Sequence, residues 1–359
     1  MMTDAMKPAE RMAAYGRGEP IDRLPCVPIV ANGAARVTGC KISGFKGNGK
    51  LMARAQIDAY KLFRYDAIRI FTDLYVQAEA MGAKVIYPED ETAHLEAPAI
   101  DDISLIDTLQ VPDPHKDGNL PSHLEALKIV LDEVGKEVPV SAGVIGSFTN
   151  ASFLIGTDSL IRFTLRKPEI VHRLCEISTE AAINYARAVI DAGGSPGISE
   201  PVSSSTIISP GQFAEFSYPY LKRISDYIHS RGKTVTLHIC GLTGNIWDLM
   251  VDSGADCISI DNVENLFEAK RKVGHRARIM GNVSPSQIML QGTVKDVRRA
   301  TLECIKNTWD SPKGYIVASG CSLPTDTPFE NIHAMLDTVR EVGWPVRPEK
   351  LESMAMELE

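Results

Sequence analysis

Short apolar runs alternate with longer amphipathic stretches along this chain, and the two follow different periods. Aliphatic and β-branched residues gather at 26–30, 67–71, 138–144, 234–239, 257–260, 278–280 and 315–319, and Ser195–Ser199, closed by Glu200-Pro201, reads as a further short strand. Runs this short, closed by Gly, Asp or Asn, read as strands buried on both faces. Between them apolar residues recur three and four apart. Leu51, Ala55, Ala59 and Leu62 stripe a helix over 51–65. Ile170, Leu174, Ile177 and Ala181 stripe one that opens at Pro168 and stops at Gly193-Gly194. Further helices are expected over 9–15, 75–81 and 293–308, and before Gly232, Gly254 and Gly274. Ser122-His123-Leu124-Glu125 reads as a capping box, and Ser209, Ser284 and Thr327 as further helix starts.

A strand-then-helix rhythm repeated about eight times is the pattern of an α/β chain closed into a single (β/α)8 TIM barrel. The expectation is one barrel domain over 1–359, with an N-terminal extension and long βα loops. The open doubly wound sheet is the competing architecture, and no G-x-G-x-x-G follows the first strand to support it. Residues 31–48 are rich in Gly and polar side chains, a long loop suited to moving over the barrel mouth. Residues 89–121 are acidic and Pro-studded, read as an irregular surface excursion.

Composition narrows the function classes. A formal net charge of −8 over 359 residues, without a basic cluster, argues against a nucleic-acid partner. No apolar run approaches the roughly 18 residues that span a bilayer. The opening residues carry no apolar signal segment, so a cytoplasmic protein is expected. The seven cysteines form an odd set without disulfide spacing, which predicts reduced thiols. Cys175, Cys257 and Cys304 read as packing residues.

The chemistry collects where strands end. In an extended backbone residues two apart share a face, so His238 and Cys240 project together from Thr234-Val235-Thr236-Leu237-His238-Ile239-Cys240-Gly241. A second thiol, Cys321, closes the run Ile316-Val317-Ala318-Ser319-Gly320. In a barrel all these ends meet on one face. An imidazole and two thiols there make a three-ligand zinc set with one position left for substrate or water, whereas a structural zinc would show four ligands in close local pairs. A buried thiol is otherwise most often a small hydrophobe. Asp73, Glu200, Asp261 and Asn282 also fall at strand ends. Glu200 is expected to fill the open zinc position in the substrate-free state or to act as an ordinary ion-pairing carboxylate. Asp73, Asp261 and Asn282 are expected to orient a polar substrate.

His238-Ile239-Cys240-Gly241, with Gly320-Cys321 and Thr327-Pro328 beyond, resembles the H-x-C-x(n)-C zinc signature of the methylcobamide:coenzyme M methyltransferases. These form a branch of the uroporphyrinogen decarboxylase superfamily, whose members are (β/α)8 barrels. Gly18-Glu19-Pro20 through Pro25, Glu79-Ala80-Met81-Gly82 and Gly281-Asn282-Val283-Ser284 extend the likeness over most of the chain. The resemblance implies zinc on His238, Cys240 and Cys321, and methyl transfer between a corrinoid and a small thiol or methoxylated substrate. With no corrinoid-binding segment in the sequence, the corrinoid would come on a partner protein. Two places depart from the pattern. Ile70-Phe71-Thr72-Asp73 is similar to the decarboxylase motif that supplies an essential aspartate, yet Val30–Arg36 lacks the decarboxylase arginine segment. Ser199-Glu200-Pro201 has glutamate where an aspartate is expected. The alternative enzyme is a metal-free carboxy-lyase built on Asp73; a corrinoid or metal chaperone is the non-enzymatic one.

Overall fold

Eight parallel strands form one sheet that curls into a TIM barrel, in a computed structural model that describes residues 4–358. Residues 1–3 and 359 of the expected 1–359 span lie outside the described residues. The strands are β1 (Cys26–Val27), β2 (Ile68–Ile70), β5 (Val140–Ile145), β6 (Ser195–Ser199), β7 (Thr236–Ile239), β8 (Cys257–Ile260), β9 (Arg278–Val283) and β10 (Tyr315–Ser319), with β3 (Lys84–Ile86) and β4 (His94–Ala97) apart. Around the sheet the order is β1-β10-β9-β8-β7-β6-β5-β2, so each strand after β5 lies beside its predecessor in the chain.

The remaining seam, between β1 and β2, is clasped by one residue. Asp66 donates its backbone N–H to the Cys26 carbonyl at 2.9 Å, and its carboxylate accepts from the Cys26 N–H at 2.6 Å. Asp66 is fully buried, as are Arg11 and, almost entirely, Arg23. Both guanidinium groups bond to it, Arg23 at 2.6 Å. They in turn bind Asp22 and Asp4, and Arg340 of the helix Phe329–Val342 reaches Asp4 at 3.1 Å. The N-terminal extension thus plugs the barrel beneath the strands with a paired, hydrogen-bonded charge network.

Helices cover the sheet where their stripes allow. The helix Pro168–Asp191 buries Val171, Leu174, Cys175, Ala181 and Ala182. The helix expected at 51–65 runs Gly49–Phe63, capped by Asn48, whose side chain accepts from the Leu51 N–H at 3.0 Å. Its buried face includes Met52, Ala59 and Phe63, and Leu62 points to solvent. Ser122-Glu125 opens no helix: the turn begins earlier, with Leu120–Val134 and Pro121 in its first turn, which accommodates a residue without an N–H. Ser209 does form its capping box with Gln212. Ser284 caps a single π-helical stretch, Pro285–Leu290. Thr327 caps nothing, because its hydroxyl bonds back to the Pro324 carbonyl at 2.7 Å.

The long loops are more ordered than their composition suggested. Residues 31–48 hold the short helices Ala31–Gly33, Ala34–Thr38 and Ile42–Phe45, and Asn32, Ala34, Ala35 and Phe45 are buried. The excursion after β2 pairs β3 with β4 as an antiparallel ribbon and adds a turn of 3-10 helix at Ile103–Thr108.

Candidate metal centre

β7 delivers His238 in register with Ser259 of β8. That pairing orients the imidazole. Nδ1 lies 3.2 Å from the Ser259 carbonyl and 3.0 Å from its hydroxyl, so Nδ1 carries the proton and donates. The lone pair of Nε2 is left to point toward Cys240 Sγ, 2.9 Å away. A ring fixed through its far nitrogen is the usual arrangement of a metal-binding histidine.

Cys240 follows the last residue of β7 and sits on a tight turn. Gly241 has φ +77°, and a side chain there would meet Thr206 Oγ1 at 2.6 Å. Its N–H donates to the Asp261 carboxylate at 2.8 Å, so Asp261 holds the cysteine loop in place. Across the mouth Cys321, just past β10, brings its sulfur to 3.4 Å from Cys240 Sγ. The three ligand atoms lie within 4.8 Å of one another. Either sulfur can donate across that contact, which pulls the Cys321 thiol down and, together with burial, pushes Cys240 up. One oriented nitrogen lone pair and two converging sulfurs, one readily ionised, fit zinc.

The cluster lines a cavity of about 210 Å³ at the carboxyl ends of the strands, room for a small organic group beside the sulfurs. Phe71, Thr72, Asp73, Tyr75, Ser199 and Leu323 also line it. Asp73 is buried, its carboxylate accepting from the Thr72 hydroxyl at 2.9 Å and the Tyr75 N–H at 2.7 Å.

Glu200 does not join the cluster. Ser199 and Pro201 face the cavity, and the residue between them points the other way, as alternation along an extended chain requires. Its buried carboxylate accepts from the Thr149 N–H and the Ser203 hydroxyl, each at 2.8 Å. Burial pushes it up to about 7 against the pull of those hydrogen bonds. Asn282 also leaves the mouth. At Gly281 the backbone takes φ +141°, and the Asn282 amide turns to donate to the carbonyls of Asp261 and Glu264, both at 2.8 Å. Asp261 and Asn282 therefore brace loops and present nothing to the cavity. Cys175, Cys257 and Cys304 are buried, as packing residues should be.

Sequence reading missed Arg69. It stands in β2 between two fully buried isoleucines, which is the signal that could have found it. Its guanidinium stacks over Phe71, with the ring centroid at 4.8 Å, and donates to Ser199 Oγ at 2.9 Å and the Gly197 carbonyl at 3.2 Å. Among the described residues no carboxylate pairs with it, and its Nε has no partner. Burial pushes it down to about 10, while Cys321 and Cys240 pull the other way. Arg36, by contrast, bonds to the carbonyls of Thr325 and Thr327 and does not line the cavity.

The family model described as Uroporphyrinogen decarboxylase (URO-D) matches residues 7–342. A methylcobamide:CoM methyltransferase, MtaA, of Methanosarcina barkeri is 31% identical over 332 residues, covering 91% of this chain and 95% of that protein. A methylcobamide:CoM methyltransferase, MtbA, of Methanosarcina mazei is 26% identical over 348 residues, 93% and 97% of the two chains. The uroporphyrinogen decarboxylase of Psychromonas ingrahamii is 26% identical over 307 residues, 83% and 85% of the two. Among solved structures a methyltransferase from Methanosarcina mazei superposes with a TM-score of 0.84 at 28% identity, over 94% of this chain and 99% of that one.

Proposed function

The chain belongs to the uroporphyrinogen decarboxylase family, and on that premise we propose that it is a zinc-dependent methyltransferase moving a methyl group between a corrinoid and a small substrate. The corrinoid would be carried by a separate partner protein, and the substrate is a thiol or a methoxylated compound. The observation that carries this reading is the convergence of His238, Cys240 and Cys321 on a cavity at the barrel mouth. Relatives named as methylcobamide:CoM methyltransferases, aligned along nine-tenths of the chain, support it.

When bound, zinc would bind the substrate heteroatom as a Lewis acid and favour its deprotonated form. The chain's own residues do the rest. Ser259 fixes the His238 ring, and Asp261 fixes the turn that presents Cys240. Phe71, Tyr75 and Leu323 give the cavity apolar walls that displace water from the reacting atoms. Asp73 lines the same cavity as the cluster. Seven free thiols suit a reducing, cytoplasmic compartment. No helix among the described residues is long and apolar enough to cross a membrane.

The test is spectral. Purified protein loaded with zinc should demethylate methylcobalamin when the right thiol is supplied, or methylate cob(I)alamin from a methylated substrate, and should lose this on removal of the metal. Full-rate decarboxylation of a porphyrinogen by zinc-stripped protein, with no change in the corrinoid spectrum, would overturn the reading in favour of an Asp73-centred carboxy-lyase.

A further inference from the structure

Inward from the cavity-lining Asp73, four groups form an unbroken line of hydrogen bonds. The Asp73 carboxylate Oδ2 lies 2.9 Å from the Thr72 hydroxyl. That hydroxyl lies 3.0 Å from His123 Nε2, and His123 Nδ1 lies 3.0 Å from the Asn119 carbonyl. His123 is buried on the first turn of the helix Leu120–Val134, and Asn119 is itself pinned by the Gly47 N–H at 2.8 Å.

Counting protons along this line gives a definite answer. The Asn119 carbonyl can only accept, so Nδ1 must carry a proton. Two contacts remain, Nε2 with the hydroxyl and the hydroxyl with Oδ2, and each needs a proton between its heavy atoms. The hydroxyl supplies one. The other must sit on Nε2, giving an imidazolium beside a carboxylate, or on Oδ2, giving a neutral imidazole beside a carboxylic acid. A neutral ring with an ionised Asp73 would set two lone pairs against each other at hydrogen-bond distance inside the protein, which is costly. The line therefore stores one proton, and its outer end is a cavity-lining carboxyl group.

We propose that Asp73, Thr72 and His123 form a relay that exchanges one proton with the substrate heteroatom that carries or receives the methyl group. This rests on the methyl-transfer reading above. In the direction that demethylates a substrate, the heteroatom keeps the bonding pair, the methyl passes to the reduced corrinoid, and the heteroatom takes the stored proton through Asp73. In the opposite direction the line first gives its stored proton to solvent. A thiol S–H bond then breaks, its proton refills the line through Asp73, and the freed sulfur pair attacks the methyl of the methylated corrinoid, whose cobalt keeps the Co–C bonding pair. Asp73 is the catalytic residue, and Thr72 and His123 act through it. The surrounding ionisable groups are the phenols of Tyr75, Tyr87 and Tyr185, each close enough to Asp73 to be raised by its charge, Glu79 bonded to Tyr87, Lys46 paired with Glu79, and Arg69, which lines the same cavity.

The experiment is nitrogen-15 NMR of the full-length protein labelled in histidine, with carbon-13 labelling of the aspartate carboxyls, at neutral pH and without substrate. The extra proton is expected on His123 Nε2 or on the Asp73 carboxyl. In Thr72→Val, which keeps the side-chain shape and removes the bridge, His123 should revert to a single protonated nitrogen beside an ionised Asp73. Turnover of methylcobalamin with 2-mercaptoethanol as probe thiol then tests the use of the proton. Asp73→Asn should fall on the order of 10²-fold, and Thr72→Val should lose the pH limb that follows His123 while KM stays unchanged. A neutral His123 with an ionised Asp73 in the wild-type protein overturns the stored proton, whatever the activity. A loaded relay in a protein that never changes the corrinoid spectrum would sink the methyl-transfer reading and the relay's role in it, leaving only the stored proton. A Thr72→Val enzyme with the wild-type pH profile would leave His123 as a packing residue.

Discussion

His238 owes its usefulness to a residue that touches no substrate. Ser259 accepts the hydrogen bond from Nδ1–H, so the opposite nitrogen offers its lone pair to the sulfurs. Ser259→Ala removes the hydroxyl but leaves the Ser259 carbonyl as a weaker acceptor. Zinc affinity should drop roughly 10- to 100-fold without loss of fold, as a competitive chelator titration would measure. Cys240→Ala and Cys321→Ala should each lose the metal, whereas Cys175→Ala should retain full zinc by elemental analysis. Retention of one zinc per chain in the Cys240/Cys321 double variant would remove the assignment. At this scale the convergence of His238, Cys240 and Cys321 was legible in the sequence, because alternation places His238 and Cys240 on one face and two glycines mark the strand ends. The braces were not legible. Asp261 and Asn282 stand at strand ends just as Asp73 does, and only the backbone at Gly281 and the turn at Gly241 decide that two of the three serve the loops.

Elements of the barrel were readable where a residue's burial alone set its period, and less so where a tertiary contact overrode it. The eight strand positions follow from short apolar runs, and the structure shortens several of them, the first to Cys26–Val27. The Ser122 box failed because the helix has already begun at Leu120, with Pro121 in its first turn, so Ser122 lies inside it. The loop 31–48 folded into short helices because Phe45 and Ala35 find the core, a contact no local pattern records. β5 shows how tightly an element can be tied to the site. A methyl group on Gly143 would lie 2.1 Å from a ring carbon of Phe71, and that ring supports the Arg69 guanidinium. Gly143→Ala must push the ring toward the cavity. It should cost about 1–3 kcal/mol of stability by overpacking, read as a lowered denaturant midpoint, and should weaken substrate binding with zinc content unchanged. An unchanged KM would mean that the ring has somewhere else to go.

For the molecule as a whole, closure rests on charges buried far from the mouth. Asp66 joins β1 to β2 and faces two buried guanidinium groups, and the outer carboxylates Asp4 and Asp22 complete their pairing. Burial would raise Asp4, but the hydrogen bonds and charge of Arg23, then of Arg340, more than offset it and hold its carboxyl at about 2. Asp22 is lowered in the same way, by Arg11. A carboxylate lowered on folding contributes stability that is fully present above its ordinary value near 3.8 and disappears as pH falls through the folded value. Acid should therefore unfold the barrel from the N-terminal plug inward, with the loss concentrated between about pH 4 and pH 2. Asp4→Asn should flatten that part of the stability-against-pH curve and cost about 2 kcal/mol at neutral pH. Asp66→Asn should cost more, on the order of 3–5 kcal/mol, because it leaves two buried cations short of a counter-charge. Neither change lies near the metal cluster, so protein that remains folded should bind zinc normally. The two readings can be separated by following circular dichroism and metal content on the same acid titration. A barrel that loses zinc while its far-ultraviolet signal and the Asp4→Asn difference stay constant would place the acid-sensitive step at the thiols. Coincident loss of both signals in the wild-type protein, shifted to higher pH in Asp66→Asn, is what the seam predicts.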